Sequence, residues 1–203
     1  MRALTWLAVG VGAAGLAALL WAEARGRAGG RALPKMVASA GFVVLALARG
    51  GEPPYATLVL GGLVLSALGD AMLLSEARGP FLAGLVAFLL AHLAYAVAFA
   101  PVSAPSAWAL AAVVAAAALV LRWLWPRLGP MRLPVVAYCA VISAMLWLAL
   151  GTGQPAVAAG GLLFYLSDLF VARHRFVRAS AWNRLLGLPL YYAGQYLIAF
   201  SAG

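Results

Sequence analysis

Eight apolar runs, each close to the length of a lipid-crossing helix, leave this chain few folds to choose from. They extend over Ala3 to Ala22, Leu33 to Ala48, Ala56 to Ser75, Pro80 to Ala100, Ser106 to Trp125, Leu133 to Leu150, Pro155 to Ala172 and Arg184 to Ser201. About 20 apolar residues cross a bilayer as a helix. Hydrocarbon offers the backbone no hydrogen-bond partner, so each run must close its own bonds. Hydrophobic side chains make up 66% of the sequence and charged ones 9%, against roughly 25% charged in soluble domains. The expected fold is all-α: a polytopic membrane protein, a bundle of about eight transmembrane helices forming a single domain over residues 1–203. Gly and Pro mark nearly every junction, as at Gly50-Gly51, Pro53-Pro54, Gly79-Pro80 and Gly129-Pro130, where helices stop and turn.

The net charge of +9 would suggest nucleic acid in a soluble protein. Here the basic residues lie in short connections, the pattern that orients spans, and no nucleic-acid partner is implied. The first, third, fifth and seventh connections hold Arg25, Arg27, Arg31 and Lys35; Arg78; Arg122, Arg127 and Arg132; and Arg173, Arg175, Arg178 and Arg184. The opposite side keeps Arg2 and Arg49. This asymmetry predicts a multi-pass protein of the bacterial cytoplasmic (inner) membrane with both termini on the extracytoplasmic side. The first run ends in Ala22-Glu23-Ala24 like a cleavable signal, but the basic residues after it hold that connection in the cytoplasm, so it reads as a first span.

Within this apolar frame stand two acids. Asp70 closes the run from Gly61, and Asp168 closes the run from Gly160. A carboxylate at such a depth needs a partner or a task. Both runs descend from outside to inside, which sets the two acids about one turn above the cytoplasmic boundary. The structural alternative is that each is neutralised by a membrane-face base, with Arg78 and Arg173 near enough in sequence to serve. The functional reading is acid and base work, because two neighbouring carboxyls in a low-dielectric site divide into one protonated and one ionised.

Other polar groups fall in the same layer. Lys35 opens the second run and is equally suited to anchoring at the interface. Ser66, His92, Tyr95, Tyr165, Ser167, Tyr191, Tyr192 and Gln195 lie at similar or greater depth, although aromatic stripes are usually packing and a buried His is as readily an interhelical hydrogen-bonding group. His174, between Arg173 and Arg175, is expected to be solvated or to touch lipid phosphate. Cys139 reads as a packed core thiol. A faint echo pairs Asp70 and His92 with Asp168 and Gln195, as a weak parallel repeat of residues 1–100 and 101–203 would. No G-x-S-x-G elbow, phosphate loop or H-E-x-x-H motif occurs, and two histidines with two intramembrane aspartates make a thin metal-ligand set. Neither metal nor other cofactor is therefore expected, and the sequence sets no oligomeric state.

Four segments in order resemble the lysoplasmalogenase family, the YhhN-like group of multispanning proteins. They are Leu68-Gly69-Asp70; Phe81, Gly84, Phe88, His92 and Tyr95; Tyr165 with Ser167-Asp168; and Tyr191-Tyr192 with Gln195 and Leu197-Ile198. One departure is Pro34 preceding Lys35, where the family tends to place Pro after Lys. The resemblance implies hydrolysis of the vinyl ether bond of a lysoplasmalogen, a lysophospholipid substrate drawn from among membrane lipids, giving a fatty aldehyde and a glycerophospho-ethanolamine or choline. Protonation of the outer vinyl carbon gives an oxocarbenium ion that water attacks, chemistry that suits two carboxyls. Asp70 and Asp168 would divide these roles in an order the sequence does not assign, with the tyrosines, His92 and Gln195 orienting them and Lys35 and the cytoplasmic arginines holding phosphate.

Two other classes remain open on the residues alone. An intramembrane aspartyl protease also sets two aspartates on separate spans, though Ala67-Leu68-Gly69-Asp70 misses the first glycine of a G-x-G-D signature. A proton-coupled small-molecule transporter also uses buried acids. Release of a peptide, or pH-gradient-driven uptake with no product, would distinguish them from an ether hydrolase.

Overall fold

Each apolar run forms a helix in the computed structural model, which describes residues 2–75 and 77–203. The eight long helices are α1 (Arg2–Ala24), α2 (Ala32–Arg49), α3 (Tyr55–Met72), α4 (Arg78–Phe99), α5 (Ala107–Leu128), α6 (Arg132–Gly151), α7 (Pro155–Ala172) and α8 (Ala181–Phe200). The local sequence explains their ends. Gly50 closes α2 with a left-handed φ of 65° and returns its N–H to the Ala46 carbonyl, a stop that glycine adopts without steric cost. Ser106 and Ser180 cap α5 and α8 by accepting from the backbone N–H of Ala109 and Trp182, which satisfies donors that a helix start leaves free. The Ser180 cap begins α8 three residues ahead of the sequence expectation, so Trp182 and Asn183 join Arg184 inside the helix.

Six stretches among the described residues are long and apolar enough to cross a membrane: Arg2–Ala24, Ala32–Arg49, Tyr55–Met72, Arg78–Val102, Ala107–Gly151 and Pro155–Val177. The fifth, at 45 residues, contains both α5 and α6, joined by a short turn at Gly129–Met131. Helix α8 stands outside this set, since Asn183, Arg184, Gln195 and its tyrosines dilute its apolar character. The chain is an all-helical, multi-pass membrane protein.

Helix α8 is the polar hub. It packs against α7 and also meets α1, α2 and α3, while α4 rests on α3 and α6. Large apolar side chains such as Trp6, Trp108, Leu133 and Trp182 point outward. Lipid is as apolar as these side chains, so close packing and polar contacts, rather than hydrophobic exclusion, must hold the helices together. Small residues supply the closeness. Gly160 and Gly194 bring the backbones of α7 and α8 together, and a methyl added at Gly194 would lie 2.8 Å from the Gly160 carbonyl oxygen and 3.0 Å from the Phe164 nitrogen. Neither backbone atom can swing aside. Gly194→Ala is therefore expected to lower stability by about 1–3 kcal/mol, read as an earlier thermal transition in detergent.

Candidate active site

The two sequence-singled acids are held by different helices and different partners. Asp70, 2% exposed on α3, sets one carboxylate oxygen 3.2 Å from the Lys35 Nζ of α2. Its other oxygen accepts from the Ser39 hydroxyl at 2.6 Å and the Tyr191 hydroxyl at 2.7 Å. Ser39 stands one helical turn after Lys35 and so shares its face. Its oxygen is also 3.1 Å from the Tyr192 hydroxyl, which donates at 3.2 Å to the Lys35 carbonyl. Helices α2, α3 and α8 thus meet on one carboxylate. The neutralising base is Lys35 rather than a membrane-face arginine, because Lys35 enters α2 at the level where Asp70 leaves α3. Arg173, the other expected neutraliser, instead donates to Asn183 of α8.

Asp168 lies in a second cluster. Its Oδ2 accepts from the Tyr138 hydroxyl of α6 at 2.6 Å and stands 4.0 Å from His92 Nε2 of α4. The Asp168 side chain is 18% exposed against 3% for Asp70, so Asp168 is the more accessible acid. The His92 ring is fully buried, with Nδ1 2.6 Å from the Phe88 carbonyl oxygen. Among the described residues the clusters share no hydrogen-bond partner, and aromatic rings connect them. Phe164 lies 4.3 Å from the His92 ring and 5.4 Å from the Tyr191 ring, and Phe88 lies 5.8 Å from Tyr191.

The remaining residues divide. Tyr95 donates to Gln195 Oε1 at 2.7 Å, and Gln195 Nε2 donates to Ser66 at 3.0 Å. This buried chain ties α3, α4 and α8 directly beyond the Asp70 cluster. Ser167 is turned back onto the Phe164 carbonyl of its own helix at 2.7 Å. The buried Tyr165 hydroxyl has no hydrogen-bond partner of normal geometry among the described residues. His174 does not simply face solvent: its Nε2 is 3.1 Å from Arg184 Nη1, and Arg184 reaches Glu23 at 2.6 Å. Arg31 lies on the same Glu23 at 3.2 Å, so this carboxylate pins α1, the α1–α2 connection and α8 together.

Sequence reasoning missed two residues that touch the acids. Ser39 was detectable as the residue one turn from Lys35. Tyr138 belongs to no recognisable motif, and only the packing of α6 against α4 and α7 reveals it.

A family model described as the YhhN family matches residues 30–202. Human lysoplasmalogenase TMEM86B is 39% identical over 166 residues, covering 80% of this chain and 70% of that protein. Lysoplasmalogenase TMEM86A of Bos taurus is 36% identical over 160 residues, which cover 73% of this chain and 66% of that protein. A lysoplasmalogenase of Mycobacterium tuberculosis is 38% identical over 142 residues, which cover 64% of this chain and 53% of that protein. The chain thus spans between about half and about two thirds of the latter two relatives. No solved structure matches it. With a match that runs through α2 to α8 and takes in both acid clusters, the chain belongs to the YhhN family.

Proposed function

We propose that this protein is a membrane-embedded ether hydrolase that cleaves the vinyl ether bond of lysoplasmalogens, releasing a fatty aldehyde and a glycerophospho-ethanolamine or choline. The observation that carries the proposal is the naming of its relatives as lysoplasmalogenases, with matches of 35% to 39% identity. The two intramembrane acids supply groups that the reaction requires. Protonation of the outer vinyl carbon leaves positive charge on the ether oxygen and the carbon beside it. Water then attacks that carbon, and the hemiacetal collapses to aldehyde and alcohol. A carboxyl that donates the first proton becomes the carboxylate that receives one from water, as in glycoside hydrolysis.

Asp70 and Asp168 are the groups assigned to this chemistry. Lys35, Ser66, His92, Tyr95, Tyr165, Ser167, Tyr191, Tyr192 and Gln195 orient them or the substrate. The eight helices act as one transmembrane domain, each crossing the bilayer, with both termini outside the bacterial cytoplasmic membrane and the basic connections inside, where they meet the lipid phosphate. Neither a metal nor another cofactor is invoked.

Purified protein in detergent, incubated with alkenyl, alkyl and acyl lysolipids and followed by mass spectrometry, is expected to convert the alkenyl lipids alone. Aldehyde from none of them would refute the assignment. Release of a peptide from a membrane substrate would place the acids in a protease instead.

A further inference from the structure

His92 is a buried group whose hydrogen bonding is incomplete. Its Nδ1 lies 2.6 Å from the Phe88 carbonyl oxygen, an atom that can only accept, so Nδ1 carries the proton. In the neutral ring Nε2 is then a bare acceptor. That atom is fully buried, has no hydrogen-bond partner among the described residues, and stands 4.0 Å from Asp168 Oδ2. The gap exceeds any direct hydrogen bond. Two acceptors at this separation fit one water: bonds of about 2.8 Å, directed along the hydrogens of a single water molecule, span about 4.4 Å, and a modest bend of each bond closes that span to 4.0 Å. Such a water gives both hydrogens to the protein and turns its lone pairs away from both acceptors.

We propose that His92 Nε2 and Asp168 Oδ2 hold the attacking water, and that Tyr138, donating to Asp168 at 2.6 Å, is a positioning residue that fixes the carboxyl for this task. The inference rests on the ether-hydrolase reading. It assigns the order of roles that the sequence leaves open. Asp168 delivers the proton to the outer vinyl carbon and, as a carboxylate, grips the water together with His92. The water oxygen bonds to the oxocarbenium carbon while one of its protons passes to Asp168, restoring the starting acid. The hemiacetal then breaks its bond to the glycerol oxygen, which takes up the hydroxyl proton. Asp70, already neutralised by Lys35 and engaged by Ser39 and Tyr191, holds α2, α3 and α8 in place on the far side of Phe164 and Tyr191 and transfers no proton. The partial exposure of Asp168 gives substrate and water a way in.

Tyr138→Phe removes the hydroxyl and keeps the ring that packs 5.4 Å from His92. His92→Gln removes the bare ring nitrogen. Each is expected to lower kcat on the order of 10- to 100-fold, a part of the usual 10²- to 10⁴-fold value of positioned acid–base groups. Inhibition by the corresponding alkyl ether lysolipid, which binds but lacks the double bond, is expected to stay within about twofold of wild type, since neither change touches ground-state binding. Unchanged kcat in both variants, with wild-type protein still releasing aldehyde, would overturn the water site and leave the hydrolase reading standing. A fall in alkyl ether binding parallel to the fall in kcat would also overturn it, by showing that the residues only shape the fold. Absence of aldehyde from wild-type protein would instead sink the hydrolase reading.

Discussion

Asp168→Asn is expected to reduce aldehyde release from an alkenyl lysolipid by at least about 10³-fold while leaving the fold intact. The amide keeps the shape of the carboxyl, and its oxygen can still accept from Tyr138. It cannot hand a proton to carbon and recover one from water. That exchange is the core of the proposed reaction, and general acid–base groups alone contribute 10²–10⁴-fold. The charge generated at the neighbouring cation adds to the loss, because an amide offers it no compensating charge. Thermal denaturation in detergent checks the fold and product mass checks the turnover. A variant that melts normally and turns over at wild-type rate would remove Asp168 from the chemistry.

The second large effect concerns Lys35. Its ammonium group is the cationic partner of Asp70, and the two side chains are 11% and 3% exposed. Removing one member of a buried pair leaves the other charge without compensation and costs about 3–5 kcal/mol. For a chain of this length that corresponds to a fall in Tm on the order of 10 °C. Lys35→Met is therefore expected to be strongly destabilised. Lys35→Met combined with Asp70→Asn removes both charges and is expected to recover most of the lost stability, since exchange of a buried pair for neutral groups of similar volume is often neutral. Activity is expected to stay below wild type, because the carboxylate that orients the Ser39 and Tyr191 hydroxyls is gone. Thermal shifts of the two single variants and the double variant, set out as a cycle, measure the coupling directly. Additive shifts would show that Lys35 and Asp70 do not act as a pair.

Hydropathy made the helices legible, because hydrocarbon forces each run to satisfy its own backbone. Capping refined their ends: Ser180 draws the start of α8 back and carries Asn183 into the helix, where it accepts from Arg173. The acids were legible for the same reason, since Asp70 and Asp168 interrupt runs that contain little else that is charged. What surrounds them was not. The choice of Lys35 over an arginine as partner of Asp70 depends on the depth at which α2 enters beside α3. The Tyr138 contact depends on how α6 packs beside α7. Both are properties of helix rotation and packing, set by small-residue contacts such as Gly160 on Gly194, and no periodicity along one helix encodes them. The sequence also brought the two acids toward one cavity, whereas the side chains form two clusters connected by Phe88, Phe164 and Tyr191.

Proton transfer to carbon leaves a label. Turnover of an alkenyl lysolipid by the purified protein in deuterated water, with the product trapped at once by reduction, is expected to give an alcohol carrying one deuterium at the carbon next to the former aldehyde carbon. Aldehyde released without that deuterium would show that the vinyl carbon is never protonated from an exchangeable acid, and would contradict the proton transfer assigned to Asp168.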